Sequence, residues 1–127
     1  MKIFEDILLN DKSTIRDCYH KLINNKKGIC FVCNEKNELK GSITDGDIRK
    51  YLLDNSQIDL DFSVKSIMNT SPKYFFKGEK IKRQGNINIY PILNKNMRFH
   101  SYYDFNVKEI KIGKNKISKN SKSYIIA

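Results

Sequence analysis

Apolar residues at Ile15, Cys18, Tyr19, Leu22 and Ile23 follow the i, i+3, i+4, i+7, i+8 spacing of a helix with one buried face. Ser13-Thr14 with Asp17 predicts its start as a capping box in which aspartate stands where glutamate is usual. Residues 24–28, Asn-Asn-Lys-Lys-Gly, predict its end, with Gly28 suited to the left-handed C-terminal position. Ahead of the helix, Ile3, Phe4, Ile7, Leu8 and Leu9 form an apolar N-terminal arm. Behind it the pattern changes. Ile29-Cys30-Phe31-Val32-Cys33 has no polar alternation and predicts a short strand covered on both faces. After the polar turn 34–38, residues 39–44 predict its hairpin partner. A second amphipathic helix follows, with Ile48, Tyr51 and Leu52 on one face, ending near residues 54–56. Ser63 caps a further short helix holding Val64, Ile67 and Met68, and Asn69-Thr70-Ser71-Pro72 breaks it.

The second half repeats this order. Tyr74-Phe75-Phe76 and residues 87–93 predict strands, Asn94-Lys95-Asn96 a turn, and residues 97–101 a hairpin partner. Laying Ser101 and Asp104 on Thr44 and Asp47 gives an internal duplication with a spacing of 57 residues. From helix start to hydroxyl, the first copy runs 30 residues (Thr14 to Thr44) and the second 22 (Glu79 to Ser101). About eight residues, two helical turns, are therefore missing from the second copy. Its first helix is short or absent.

Composition adds limits. A chain of 127 residues with 39% apolar and 30% charged content is one compact domain or two small half-domains sharing a core. No apolar run reaches the roughly 18 residues of a membrane helix. The acidic start at Glu5-Asp6 does not resemble a secretory signal, so a cytoplasmic location is expected. Residues 1–72 carry 11 basic and 11 acidic side chains, so residues 73–127, with 13 against 3, hold the whole net charge of +10. Such a half could attract nucleic acid, but its lysines are scattered and form no RNA-reading pattern, so a solvated surface is favoured. Three cysteines do not make a disulfide framework. Cys30 and Cys33, three apart on a strand, point to opposite faces and read as buried residues instead of metal ligands. No metal site and no catalytic constellation is expected. His20 and His100 have no nucleophile-bearing motif beside them.

The chemistry gathers at residues 41–50, Gly-Ser-Ile-Thr-Asp-Gly-Asp-Ile-Arg-Lys. A strand-to-helix junction presents outward N–H groups that favour anions and hydroxyl-rich ligands. Asp45 and Gly46 read as turn formers and Arg49 as an exposed helix residue. Asp47 can accept from a ligand's vicinal hydroxyls, cap the second helix, or do both. Thr44 is either a phosphate contact or a strand-end residue. Tyr102, Tyr103 and Phe105 could stack on a flat ring or form core or dimer contacts.

The stretches Gly28-Ile29-Cys30-Phe31-Val32, Thr44-Asp45-Gly46-Asp47-Ile48-Arg49, Ser66-Ile67-Met68-Asn69 and Ile89-Tyr90-Pro91-Ile92-Leu93-Asn94 resemble a CBS domain pair. The likeness is narrower to the pairs attached to bacterial sugar-phosphate isomerases and sugar nucleotidyltransferases. It implies an α+β fold of tandem CBS motifs, each a small sheet with flanking helices, at about 5–62 and 63–107, the second shortened. The family binds adenosine-containing ligands between paired motifs and regulates a linked enzyme or transporter. The resemblance thus implies Thr44 on a phosphate and Asp47 on the ribose hydroxyls, with Ser101 and Asp104 doing the same at a second site. There Arg98 stands where glycine is usual, and Tyr102 and Tyr103 are bulky. AMP, ADP, ATP or S-adenosylmethionine would be the ligand, and a homodimer the assembly. Residues 110–127 resemble the opening of a sialic-acid synthase-type enzyme, a linker and first strand leading into a phosphoenolpyruvate-condensing barrel. The expected whole is a regulatory module of such a synthase in surface-sugar biosynthesis, cut from a longer chain and not itself catalytic. The strand ending it would have no partner. The alternatives are a ligand-free dimerisation module and a basic nucleic-acid binder.

Overall fold

The computed structural model describes residues 4–107 and the strand segments Ile110–Ile112, Asn115–Ile117 and Ser123–Tyr124. The architecture is α+β, and the chain divides into two compact units, Met1–Pro72 and Lys73–Ala127.

In the first unit, β1 (Leu8–Asn10) leads through α1 (Ile15–Asn25) into β2 (Ile29–Cys33), which lies parallel to β1. A hairpin returns as β3 (Leu39–Thr44), antiparallel to β2, and α2 (Asp45–Asp54) follows directly. A 3-10 turn, Val64–Ser66, closes the unit, with Ser63 Oγ accepting from Lys65 N as its cap. Both helices start on the same device. Thr14 Oγ1 accepts from Asp17 N at 3.1 Å while Asp17 Oδ2 accepts from Thr14 N at 3.0 Å. Thr44 and Asp47 repeat the box at 3.2 and 2.9 Å. The sequence left Asp47 as a possible N-cap of α2. The N-cap is Thr44, and Asp47 is its N3 partner.

The buried stripe of α1 is narrower than the periodicity predicts. Ile15, Cys18 and Leu22 are buried with Cys30, Val32 and Ile43 of the sheet, whereas Tyr19 and Ile23 are 46% and 53% exposed. On α2, Ile48 and Tyr51 are buried and Leu52 is exposed. The left-handed C-cap of α1 is Lys26, whose N–H reaches Leu22 O; Gly28 adopts a positive φ two residues later. Cys30 joins the cluster under α1 and Cys33 does not, as expected for residues pointing to opposite faces. The N-terminal arm is buried through Phe4, Ile7 and Leu9, and Ile3 lies outside the described residues.

The second unit repeats the sheet: β4 (Phe75–Phe76) runs parallel to β5 (Ile89–Leu93), which pairs antiparallel with β6 (Phe99–Asp104). The register corrects the expected duplication spacing. Ile29 pairs with Thr44 and Ile89 with Asp104, and both hairpins bulge at the same place, so the copies lie 60 residues apart, not 57. The turns agree, because Asn34 and Asn94 each bind two following N–H groups, and Asn37 and Met97 both take φ 65°. Ser101 therefore occupies the place of Gly41, and Asp104 that of Thr44. Letters had matched because Ser-x-x-Asp spells the same spacing, but backbone pairing sets the equivalence.

Between β1 and β4 the offset is larger: Leu9 pairs with Val32 and Phe75 with Ile92, which places Phe75 66 residues after its counterpart. The offset falls from 66 to 60 before β5, so six residues are missing, fewer than the eight expected. No helix is present among the described residues of this unit. Larger side chains fill the vacated face. Phe75 replaces Leu9, Tyr90 replaces Cys30 and Tyr103 replaces Ile43. Tyr90 packs edge-on to Phe75 at 5.1 Å and to Phe105 at 5.9 Å, and Phe105 meets Tyr103 at 4.7 Å. The Tyr90 hydroxyl accepts from Gln84 N at 2.7 Å, fastening the loop that stands where the helix was lost. The aromatic run is thus core packing, with Tyr102 buried beside it.

Two domain boundaries differ from expectation. Residues 63–72 stay with the first unit, because Val64 N donates to Ser13 O, and Ser42 and Asn69 exchange two backbone hydrogen bonds. Of the segment expected to open a barrel, β7 (Ile110–Ile112) pairs with β8 (Asn115–Ile117). The expected unpaired last strand has a partner: β9 (Ser123–Tyr124) joins β6, giving the order β4-β5-β6-β9. The remaining residues of that segment lie outside those described. No helix among the described residues is long and apolar enough to cross a membrane.

Candidate functional site

The first unit brings Thr44 and Asp47 together but employs them unequally. The Thr44 hydroxyl accepts from Asp47 N and donates to Asp47 Oδ2 at 3.1 Å. Its proton is already engaged, so it cannot also donate to a phosphate without releasing Asp47. Asp47 keeps an unused acceptor: Oδ2 takes both bonds from Thr44, while Oδ1 has no hydrogen bond among the described residues. A carboxylate oxygen with open lone pairs can accept from a ligand hydroxyl.

The same box in α1 serves as an internal control. Its first two N–H groups, those of Ile15 and Arg16, donate to Phe62 O and Leu60 O at 2.9 and 2.8 Å. The residue pattern Thr-x-x-Asp therefore builds a purely structural helix start in this chain. The backbone hydrogen bond from Thr14, the largest influence on it, holds the Asp17 carboxyl below its usual 3.8.

What separates Asp47 is its surroundings. It stands at the edge of a cleft of about 350 Å³ between α2 and residues 66–69. Lys50, Asp54 and Asn55 line the α2 side, and Met68 and Asn69 the other. The wall exists because Gly41 has no side chain. A Cβ there would lie 2.7 Å from Asn69 O and 2.8 Å from Met68 Sδ, inside any real contact distance. With glycine, Ser42 N donates to Asn69 O at 3.0 Å and Asn69 N returns to Ser42 O at 2.8 Å. Sequence reasoning assigned these lining residues no role at the site. The available signal was the polar spacing Asp47, Lys50, Asp54 on one helix face, together with the glycine three residues before Thr44.

Ser101 and Asp104 are placed differently. Both are buried, and three residues of uninterrupted strand put them on opposite faces of β6. Ser101 Oγ lies 3.2 Å from His100 Nδ1, and Asp104 Oδ1 accepts from Asn106 N at 2.8 Å. In register, Val107 takes the place of Asp47, so the second copy has no carboxylate there.

Comparison with known proteins places this geometry. Residues 5–54 match the CBS domain family. Among curated proteins, a probable arabinose 5-phosphate isomerase of Haemophilus influenzae is 36% identical over 67 residues, 53% of this chain. The match spans 20% of that protein's length. A CBS domain protein from Pyrobaculum aerophilum, solved in complex with AMP, superposes with a TM-score of 0.66 at 20% identity, covering 77% of this chain and 79% of that one. The CBS domain pair of protein MJ0100, in complex with 5-methylthioadenosine and S-adenosyl-L-methionine, gives 0.65 at 20% identity, over 77% and 80%. These likenesses show the tandem CBS fold.

Proposed function

We propose that the CBS domain carries one adenosine-ligand site, in the cleft beside Asp47, and that the chain is a regulatory module and not a catalyst. The observation that carries this reading is that Asp47, whose Oδ1 takes no hydrogen bond among the described residues, lines the 350 Å³ cleft, a volume in the range of small-molecule pockets. Asp47 accepts from the ribose hydroxyls, and Thr44 positions it. AMP, ADP, ATP and S-adenosylmethionine are the candidate ligands, in line with the two neighbours solved with adenosine compounds. The second copy, with Ser101 and Asp104 displaced by three positions, holds none in this reading.

The ligand acts by population shift, binding one arrangement of the module better than another and so biasing an attached enzyme. Two likenesses support a sugar-handling enzyme as that partner: the isomerase relative, and the resemblance of residues 110–127 to the opening of a sialic-acid synthase. A homodimer in the cytoplasm completes the proposal. Isothermal titration with AMP, ATP and S-adenosylmethionine tests the site. Binding that Asp47→Ala abolishes supports it, and binding indifferent to that substitution moves the site elsewhere.

A second reading, a ligand-free dimerisation module, is favoured by one observation. Tyr19 and Ile23 on α1 and Leu52 and Leu53 on α2 are 46%, 53%, 46% and 84% exposed. Absence of all nucleotide binding in a concentration-dependent dimer would select it.

A further inference from the structure

We infer that the cleft selects its adenosine ligand by charge, taking neutral or cationic compounds such as a thioadenosine or a sulfonium over polyphosphates, with Asp54 as the discriminating residue. This rests on the adenosine site proposed above and names the ligand class it prefers.

Three charged side chains line the cleft: the carboxylates of Asp47 and Asp54 and the ammonium of Lys50. They leave it one negative charge in excess. The N-cap Thr44 and the first-turn residues Asp45 and Gly46 are not among its lining, and the N–H of Asp47 is taken by Thr44 Oγ1, so the anion-attracting N–H groups of the helix start do not compensate. Asp54 sits at the opposite end. It is the last residue of α2, whose final turn has no basic side chain, and a carboxylate there meets the negative end of the helix dipole. The Asn55 side chain donates to Tyr51 O at 2.9 Å, while the Asp54 carboxylate has no hydrogen bond or ion pair among the described residues. Asp47 and Asp54 are seven residues apart, about 10 Å along the helix, so a nucleoside held at Asp47 stays within range of both charges. A triphosphate entering the cleft would meet two carboxylates and one lysine. A sulfonium would relieve a carboxylate that the fold leaves unbalanced.

The test is titration of the full chain at 0.15 M salt with 5′-methylthioadenosine, S-adenosylmethionine, AMP and ATP, for the native protein, Asp54→Asn and Lys50→Gln. The native protein should bind methylthioadenosine and S-adenosylmethionine about tenfold or more tightly than ATP. Asp54→Asn should narrow that gap about fivefold and Lys50→Gln should widen it. Asp54→Asn lies at an exposed helix end and relieves a dipole clash, so circular dichroism should show it folded. The inference is overturned if ATP binds as tightly as the uncharged ligand, or if neither substitution moves the ratio while adenosine compounds still bind. Failure of all four ligands to bind the native protein overturns the site reading as well, a pattern distinct from the other two.

Discussion

Replacing Gly41 by alanine exchanges one hydrogen for a methyl group, yet it should disturb both the fold and the cleft. The new Cβ would sit 2.7 Å from the carbonyl oxygen of Asn69 and 2.8 Å from the sulfur of Met68. A thioether can swing aside, but a backbone carbonyl held in a two-bond bridge cannot. Relief requires residues 68–69 to move off β3, breaking both Ser42–Asn69 hydrogen bonds. Each such bond contributes about 1 kcal/mol. Overpacking adds about 1–3 kcal/mol. The expected destabilisation is thus about 3–5 kcal/mol, with no part from backbone strain, because Gly41 is not among the residues of positive φ. Urea unfolding gives the magnitude, and amide hydrogen exchange at Ser42 and Asn69 locates it. Both amides should lose protection before the rest of β3. The reasoning fails if Gly41→Ala costs under about 0.5 kcal/mol with the Asn69 amide still protected. Serine is native at the equivalent position in the second unit, so Ser101→Ala should be far milder.

Three further outcomes follow from the same geometry. Tyr90→Phe removes the hydroxyl that holds Gln84 and should cost about 1 kcal/mol, whereas Tyr90→Ala empties the space of the lost helix and should cost about 3–5 kcal/mol; equal costs in thermal unfolding would show that ring packing is not what replaces the helix. All three cysteines should resist a thiol reagent until the protein unfolds: burial, with the Asp11 charge, pushes Cys33 up to about 12, and a hydrogen bond with Cys30, then burial, raises Cys18. Rapid labelling of the native chain would contradict that. Asp17, held below its usual 3.8, contributes stability present above that value and lost as pH falls through its lower folded value; Asp17→Asn should remove this part of the acid slope in a pH titration of unfolding, and an unchanged slope would deny the cap its role.

Much of the first unit was legible because local chemistry dictates it. Thr14 with Asp17 announces its helix start by spacing alone, and an apolar run bounded by the 34–38 turn reads as a strand, whereas the same box at Thr44 was hidden because Asp47 itself read as the cap. The second copy was harder to read for two reasons. Its missing helix is replaced by ring volume at Phe75, Tyr90 and Tyr103, a compensation visible only once the strands are paired. Its register is hidden because Asp104 substitutes for Thr44, so the eye aligns the wrong acidic residue. The cleft was the least legible feature. It depends on a backbone approach between Gly41 and Asn69, 28 residues apart, and no periodicity in the chain encodes that contact.

The central claim is that Asp47 binds a ligand while its twin Asp17 only caps a helix, although both occupy the same Thr-x-x-Asp box. Parallel titrations of Asp17→Ala and Asp47→Ala with an adenosine ligand, each checked for folding, test it most directly. The account predicts that Asp17→Ala lowers stability by about 1 kcal/mol and leaves affinity within about twofold of native, while Asp47→Ala loses at least tenfold in affinity. Equal affinities for the two variants would contradict it.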